Sequence, residues 1–210
     1  MAILRLSNGE LITGYSEINE LIVPAGMEVG RFNYPGPLEA KVKSMEKPLN
    51  QDGAEFIFSE LSANVESVVK DLDFSYNYRR AGIFVPAKEK GGTSAFSMAG
   101  DDQMQVASAE MTPADLANYM APHILRANNL HFSFQGAFIK GMQLGSDLQA
   151  MIYVLAGEWQ RLDPNILSWV VFPSGEPVIG LSFFDQKPNA SGAHETDVFP
   201  DTEISETVKF

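Results

Sequence analysis

The sequence predicts a mainly β domain of the α+β class, a small sandwich or barrel with an N-terminal hairpin and helix arm and a few short helices. Three observations predict it. Short apolar runs recur between residues 130 and 184, separated by turn residues. One long segment, 51–72, instead carries its apolar residues at helical spacing. The length, 210 residues, suits one domain that buries a core without disulfides or metal staples.

The elements follow in order. Residues 2–6 and 10–15 read as a hairpin about Ser7-Asn8-Gly9, a turn signal between apolar runs. A short helix follows, with Ser16 as its cap and Ile18, Leu21 and Ile22 on one face. Pro24 and Gly26 end it, residues 27–34 return as a strand, and Pro35-Gly36-Pro37 breaks that strand. In the helix 51–72, Asp52 is a candidate cap, and Leu61, Val65, Val68 and Leu72 form one stripe suited to a core. From Phe74 the period becomes two, and residues 81–85 read as a buried strand. Residues 88–102 are rich in Gly, Ser and charge and read as a loop. A strand is expected over 104–108. Thr112-Pro113-Ala114-Asp115 resembles a capping box and predicts a helix over 113–121. Strands are expected over 130–140, 148–156, 166–172 and 177–184, with turns at 141–147, 163–165 and 174–176. The stretch AGEWQRLDPNILSWVVFP (156–173) reads as strand, turn, strand, with Trp169 as a ligand-binding candidate where a small barrel would close over a ligand.

Composition narrows the chemistry. There is no cysteine, which excludes disulfides, zinc–thiolate sites and cysteine nucleophiles. The formal net charge of −12 argues against binding nucleic acid through phosphates. No apolar run approaches the ~20 residues of a membrane helix. The first ten residues do not resemble a leader, so a cytoplasmic protein is expected. Neither a GxxxxGK[ST] nor a GxSxG sequence is present, which removes two common phosphate and acyl-transfer sites. The sequon at Asn189 is read as accidental.

Several short stretches together resemble a known family. MAILRLSNGE (1–10), INEL (18–21) and PAGME (24–28) are similar to the opening of bacterial acireductone dioxygenases. AGEW (156–159) resembles the family's turn before its late strands, Ser168-Trp169 falls where the family has His-Trp, and residues 178–184 fall on its closing strand. The resemblance extends to about residue 195. It implies a cupin-like β-barrel in a single domain, 1–210: an N-terminal α/β arm over 1–73, the barrel over 74–185 and an acidic tail over 186–210.

The family holds Fe(II) or Ni(II) with three histidines and one glutamate, the first of them as His-x-His. Imidazole and carboxylate suit these ions, and open coordination positions accept substrate and O₂. This sequence departs from that pattern. Its three histidines are His123, His131 and His194, and no His-x-His exists. Under the resemblance, His123 falls at the first ligand, Leu125 at the second, Asn129 at the glutamate and Ser168 at the last histidine. Leucine cannot ligate, and neutral Asn and Ser replace a carboxylate and an imidazole poorly.

The other candidates are ligand-binding residues. His131, Ser133 and Gln135 share one face of the alternating strand LHFSFQGAF and would line a polar barrel lumen. The default for a half-buried strand is that these three face water while Phe132 and Phe134 face the core. Arg79 and Arg80, beside Tyr76 and Tyr78, are candidates to clamp a carboxylate or phosphate, unless they are spent on surface ion pairs. Met98, Met104, Met111, Met120, Met142 and Met151 are read as core filling.

The expected protein is a cupin-like barrel without metal, cofactor or catalytic residue, serving as a binding or interaction subunit. Its expected partners are a small molecule in the barrel and a protein or second copy, the latter docking on the apolar C-terminal strands or the acidic segment 193–210. The alternative is an enzyme: a divergent Fe²⁺- or Ni²⁺-dependent acireductone dioxygenase, with ligands drawn from His123, His131 and acids such as Asp185, or a cupin isomerase or lyase.

Overall fold

The computed structural model describes residues 2–89, 91–173 and 175–188. His194, the Asn189 sequon and the acidic segment 193–210 lie outside the described residues.

The chain opens with the expected hairpin, β1 (Ile3–Leu6) and β2 (Leu11–Thr13). Helix α1 (Tyr15–Ile22) buries Ile18 and Ile22, but Leu21 is exposed. Its cap position is Gly14 at positive φ, so Ser16 lies inside the helix rather than capping it. After β3 (Met27–Arg31), the Pro-Gly-Pro stretch starts a helix, α2 (Gly36–Ser44), instead of a loop. Proline is tolerated in a first helical turn because its missing N–H has no partner to lose there.

The long helix forms as α3 (Gln51–Phe56), a wider π-type turn over Ile57–Leu61, and α4 (Ser62–Asp71). Asn50, not Asp52, caps it by accepting from the Gly53 N–H. Residues 88–102, expected as a loop, contain strand β5 (Ser94–Gly100), which pairs along the length of β4 (Tyr78–Val85). The small residues that resemble a loop are what a strand packed closely on both faces accommodates: Ser97 and Ala99 are fully buried. Strand β6 (Val106–Met111) follows. Helix α5 (Pro113–Met120) carries the expected capping box between Thr112 and Asp115.

The remaining strands are β7 (His123–Ile124), β8 (Asn129–Gln135), β9 (Ala137–Leu144), β10 (Leu148–Leu155), β11 (Glu158–Leu162), β12 (Leu167–Val171) and β13 (Val178–Phe184). The run expected as one strand over 130–140 is divided at Gly136, whose positive φ makes the hairpin turn. Gly141, expected in a turn, lies inside β9.

These strands form two antiparallel sheets. One has the order β2-β1-β10-β9-β12-β7 and the other β3-β11-β8-β13-β4-β5-β6. The fold is a cupin-like sandwich with a helical layer. Strands from residues 1–73 pair directly into both sheets, β1 with β10 and β3 with β11, so they build the walls rather than an appended arm. Helices α2 to α4 cover the outer face of the seven-stranded sheet, where Ile57, Leu61 and Val65 meet Phe132, Phe134 and Leu181. Between the sheets a second core gathers Leu4, Ile18, Phe84, Phe138, Ile152 and Val178. The central strands of the seven-stranded sheet are thus buried on both faces, while its edge strand β6 is largely exposed. Among the described residues no helix is long and apolar enough to cross a membrane.

On the far face of the six-stranded sheet the Trp169 indole lies flat across the backbone of Gly141, its register partner on β9. A Cβ at Gly141 would come within 2.0 Å of indole atoms, closer than any real contact. Gly141→Ala is therefore expected to destabilise the protein by about 2–3 kcal/mol through overpacking, measured by urea unfolding. Gly36→Ala, which meets open space, is expected to stay within about 0.5 kcal/mol of the parent protein.

Candidate functional site

The functional candidate grows out of strand register. In an antiparallel sheet, directly opposed residues present their side chains on the same face. Ser182 on β13 opposes Arg80 on β4 and His131 on β8, and His131 opposes Gln160 on β11. Arg80, Ser182, His131 and Gln160 therefore form one polar row across four strands, facing the six-stranded sheet. The next row inward is Met98, Gly82 and Gly180, and beyond it stand Phe96, Phe84 and Val178. Side-chain bulk vanishes at the two glycines, and a cavity of about 630 Å³ opens above them between the sheets. Phe138, Lys140, Val170 and Phe172 close it from the opposite sheet, and Tyr119 of α5 borders it.

The cavity is graded from charged to aromatic. At one end Phe84 and Phe172 stack with ring centroids 4.1 Å apart, and Tyr119 stacks beyond Phe172. At the other end stand Arg80, His131 and Lys140, with Arg126 and His123 also on the lining. No aspartate or glutamate lines the cavity among the described residues, although the whole chain carries 27 acids against 15 Lys and Arg.

His131 is the centre of the polar row. Its ring lies over Gly180, where a Cβ would approach to 2.3 Å, and edge-on to Phe138 at 4.9 Å. Nδ1 shares a hydrogen bond of 2.8 Å with the Ser182 hydroxyl, while Nε2 has no partner among the described residues. Burial, reinforced by the nearby charges of Arg80 and Lys140, pushes its pKa down to about 3, so the imidazole is neutral. Lys140, 7% exposed, projects from the inner face of β9, and burial lowers its pKa to about 8. Arg80 rests its guanidinium on the Phe184 ring at 5.0 Å. Neither cation has a carboxylate partner among the described residues. The amide oxygens of Asn129 and Gln160, both on the lining, are also unpaired there.

Of the residues singled out from sequence, His131 and Arg80 come together in this cavity. His123, on β7, also borders it, with Nδ1 3.1 Å from the Ala121 carbonyl. Arg79 does not, because strand alternation sends it to the opposite face. There its Nε donates to Asp101 at 2.8 Å, and Nη1 donates to the Ser62 hydroxyl at 2.8 Å and to the Phe58 carbonyl at 3.3 Å, tying the π-type turn to the sheet. Ser133 and Gln135 are not on the cavity lining, and Ser133 is fully buried rather than facing water as the default predicted. Ser133 opposes Gly180 and so keeps the alternation of His131, while the register shift between Ile179 and Gly180 falls between Ser133 and Gln135 and displaces only the latter. Trp169 faces away from the cavity, on the far side of its sheet, because inward positions on β12 belong to Ser168 and Val170. Asp185, offered as an alternative ligand, accepts from the Asn128 backbone N–H and side-chain amide at 3.0 and 2.8 Å, outside the cavity lining. The residue missed is Lys140. Its signal was a single cation inside the otherwise apolar run AFIKGM (137–142).

The fold and the site define a class: a cupin-like β-sandwich with a basic cavity between its sheets. Among solved structures, the chain is similar to an acireductone dioxygenase from Bacillus anthracis, a structure with a cadmium ion in its active centre. The TM-score is 0.63 over 90% of this chain and 98% of that one, at 12% identity. No protein-family model matches the sequence, and neither does any curated protein.

The neutral state of His131 has a consequence for stability. An ordinary histidine takes up a proton near pH 6.5, as the unfolded chain does, while folded His131 takes it up only near pH 3. The folded pKa is the lower one, so stability falls as pH drops through this window, by at most ~1.4 kcal/mol per pH unit. Between pH 7 and pH 5 the parent protein is expected to lose roughly 2 kcal/mol more than His131→Gln does. Urea titrations of both proteins at the two pH values measure the difference.

Proposed function

We propose that this protein is a metal-independent cupin-like binding module that holds a small organic anion between its sheets. The single observation that carries this reading is the lining: fixed cations at one end, aromatic rings at the other and no acid among the described residues. Lys140 is almost wholly buried and Arg80 half-buried, and withdrawing a cation from water is costly unless an opposite charge joins it. An anionic ligand supplies that charge, and the guanidinium fork of Arg80 suits a planar carboxylate. The aromatic end suits an apolar tail.

The side chains available fit an Fe(II) or Ni(II) ion poorly, which supports the metal-independent reading. No three His, Cys, Asp or Glu side chains converge among the described residues. His131 offers one free nitrogen, but the Arg80 and Lys140 charges beside it repel a dication. Lys140 and Gln160 on the lining add no carboxylate or second imidazole.

Three measurements test the proposal. Arylalkyl carboxylates are expected to raise the melting temperature in proportion to occupancy, while the corresponding amides are not. Arg80→Gln is expected to weaken carboxylate binding by about 10–100-fold, the loss of a charged hydrogen-bonding partner, with Arg79→Gln leaving affinity unchanged. Metal analysis of protein purified without chelator is expected to find iron and nickel far below one equivalent. A full equivalent of tightly held metal would overturn the reading.

A further inference from the structure

Lys140 is a primary amine held in a cavity that no acid lines among the described residues. Its side chain rises from the middle of β9, between the inward-facing Phe138 and Met142 of the same strand. It is almost wholly buried, and it makes no hydrogen bond or ion pair with any described residue. Buried lysines are rare unless paired. A structural role as a packed aliphatic stem does not explain a charged head turned to a cavity rather than to bulk water. Arg80 stands on the facing sheet, and both side chains are on the cavity lining.

We propose that Lys140 captures the carbonyl group of an oxo-carboxylate with an aromatic tail, forming an imine while Arg80 holds the carboxylate. This rests on the anion-binding reading above and names the class of anion. Each part of the ligand has a counterpart on the wall. The guanidinium pairs with the carboxylate, the amine attacks the carbonyl carbon, and the tail lies among Phe84, Phe172 and Tyr119.

The step balances without a co-reactant. The amine lone pair forms a C–N bond and the carbonyl oxygen becomes a hydroxyl. The carbinolamine then loses that oxygen as water, leaving C=N. Nothing is oxidised or reduced. The amine must be neutral to attack, and the lowered pKa leaves roughly a few hundred times more free base at neutral pH than an ordinary lysine keeps.

The test uses the full chain with phenylpyruvate as probe, phenyllactate as the matching acid without a carbonyl, and sodium cyanoborohydride to reduce any imine to a stable amine. The expected result is one adduct per chain, heavier by one ligand less one oxygen atom. Peptide mapping should place it on Lys140, and excess phenyllactate should block it. Lys140→Gln should bind both acids and take no adduct. If that variant fails to fold, peptide mapping and competition on the parent protein decide alone. A melting-temperature rise with both acids but no adduct on Lys140 overturns the carbonyl capture and leaves the anion reading standing. Label spread over surface lysines and indifferent to phenyllactate also overturns the capture. No thermal shift and no competition by either acid overturns both.

Discussion

The arrangement depends on the register of one sheet. The seven-stranded sheet is covered on both faces, by helices α2 to α4 on one side and by the second sheet on the other. Strand alternation therefore never sends a side chain to bulk solvent along its middle; it only chooses between two interiors. Phe132 and Leu181 go to the helical side, and His131 and Ser182 go to the cavity. A slip of one residue would exchange the two sets, placing phenylalanines over the glycines and a histidine among the helix leucines. The apolar demand of the helical layer is what fixes the polar row on the other face.

That constraint explains why adjacent arginines have unrelated fates. Arg79 and Arg80 are indistinguishable as a cation pair in sequence. In the sheet, Arg79 points to the helices and finds Asp101, Ser62 and the Phe58 carbonyl, the last available where the helix widens to a π-type turn. Arg80 points to the cavity and rests on the Phe184 ring, with no carboxylate partner among the described residues. The protein uses its acids in the same selective way. Asp101 and Asp102 neutralise Arg79 and Lys187, Asp185 accepts from Asn128, and no acid lines the cavity among the described residues. An acidic exterior around a basic interior concentrates the positive potential in a single concave place.

Local signals in the sequence were legible where the chemistry is local. The turn at Gly9, the capping box at Thr112 and the apolar stripe through Leu61 and Val65 each depend on residues a few positions apart. What failed depended on partners far along the chain. Strand β5 resembles a loop because its small residues answer to β4 and β6 on either side. Gly141 resembles a turn because nothing nearby announces that Trp169, 28 positions later, lies across it. Gln135 was grouped with His131 by simple alternation, which the bulge against β13 interrupts beyond Ser133. Lys140 stayed hidden because a lone cation in a strand looks like an edge or surface residue until its opposite sheet is known. Within the cavity, His131 and Arg80 were visible as residue types, but their convergence required the pairing of β8, β13 and β4.

The cupin-like shell gives one way to think about what replaces a metal. A dication at the centre of a barrel offers a positive charge that binds and polarises anions. Fixed cations on the walls offer the same charge without an ion. The two solutions exclude each other within one cavity, because a guanidinium and an ammonium near the centre raise the cost of seating a dication and compete for the same acidic ligand atoms. Among the described residues the cavity wall carries Arg80 and Lys140 and no carboxylate, charge of the sign that repels a dication and attracts an organic acid.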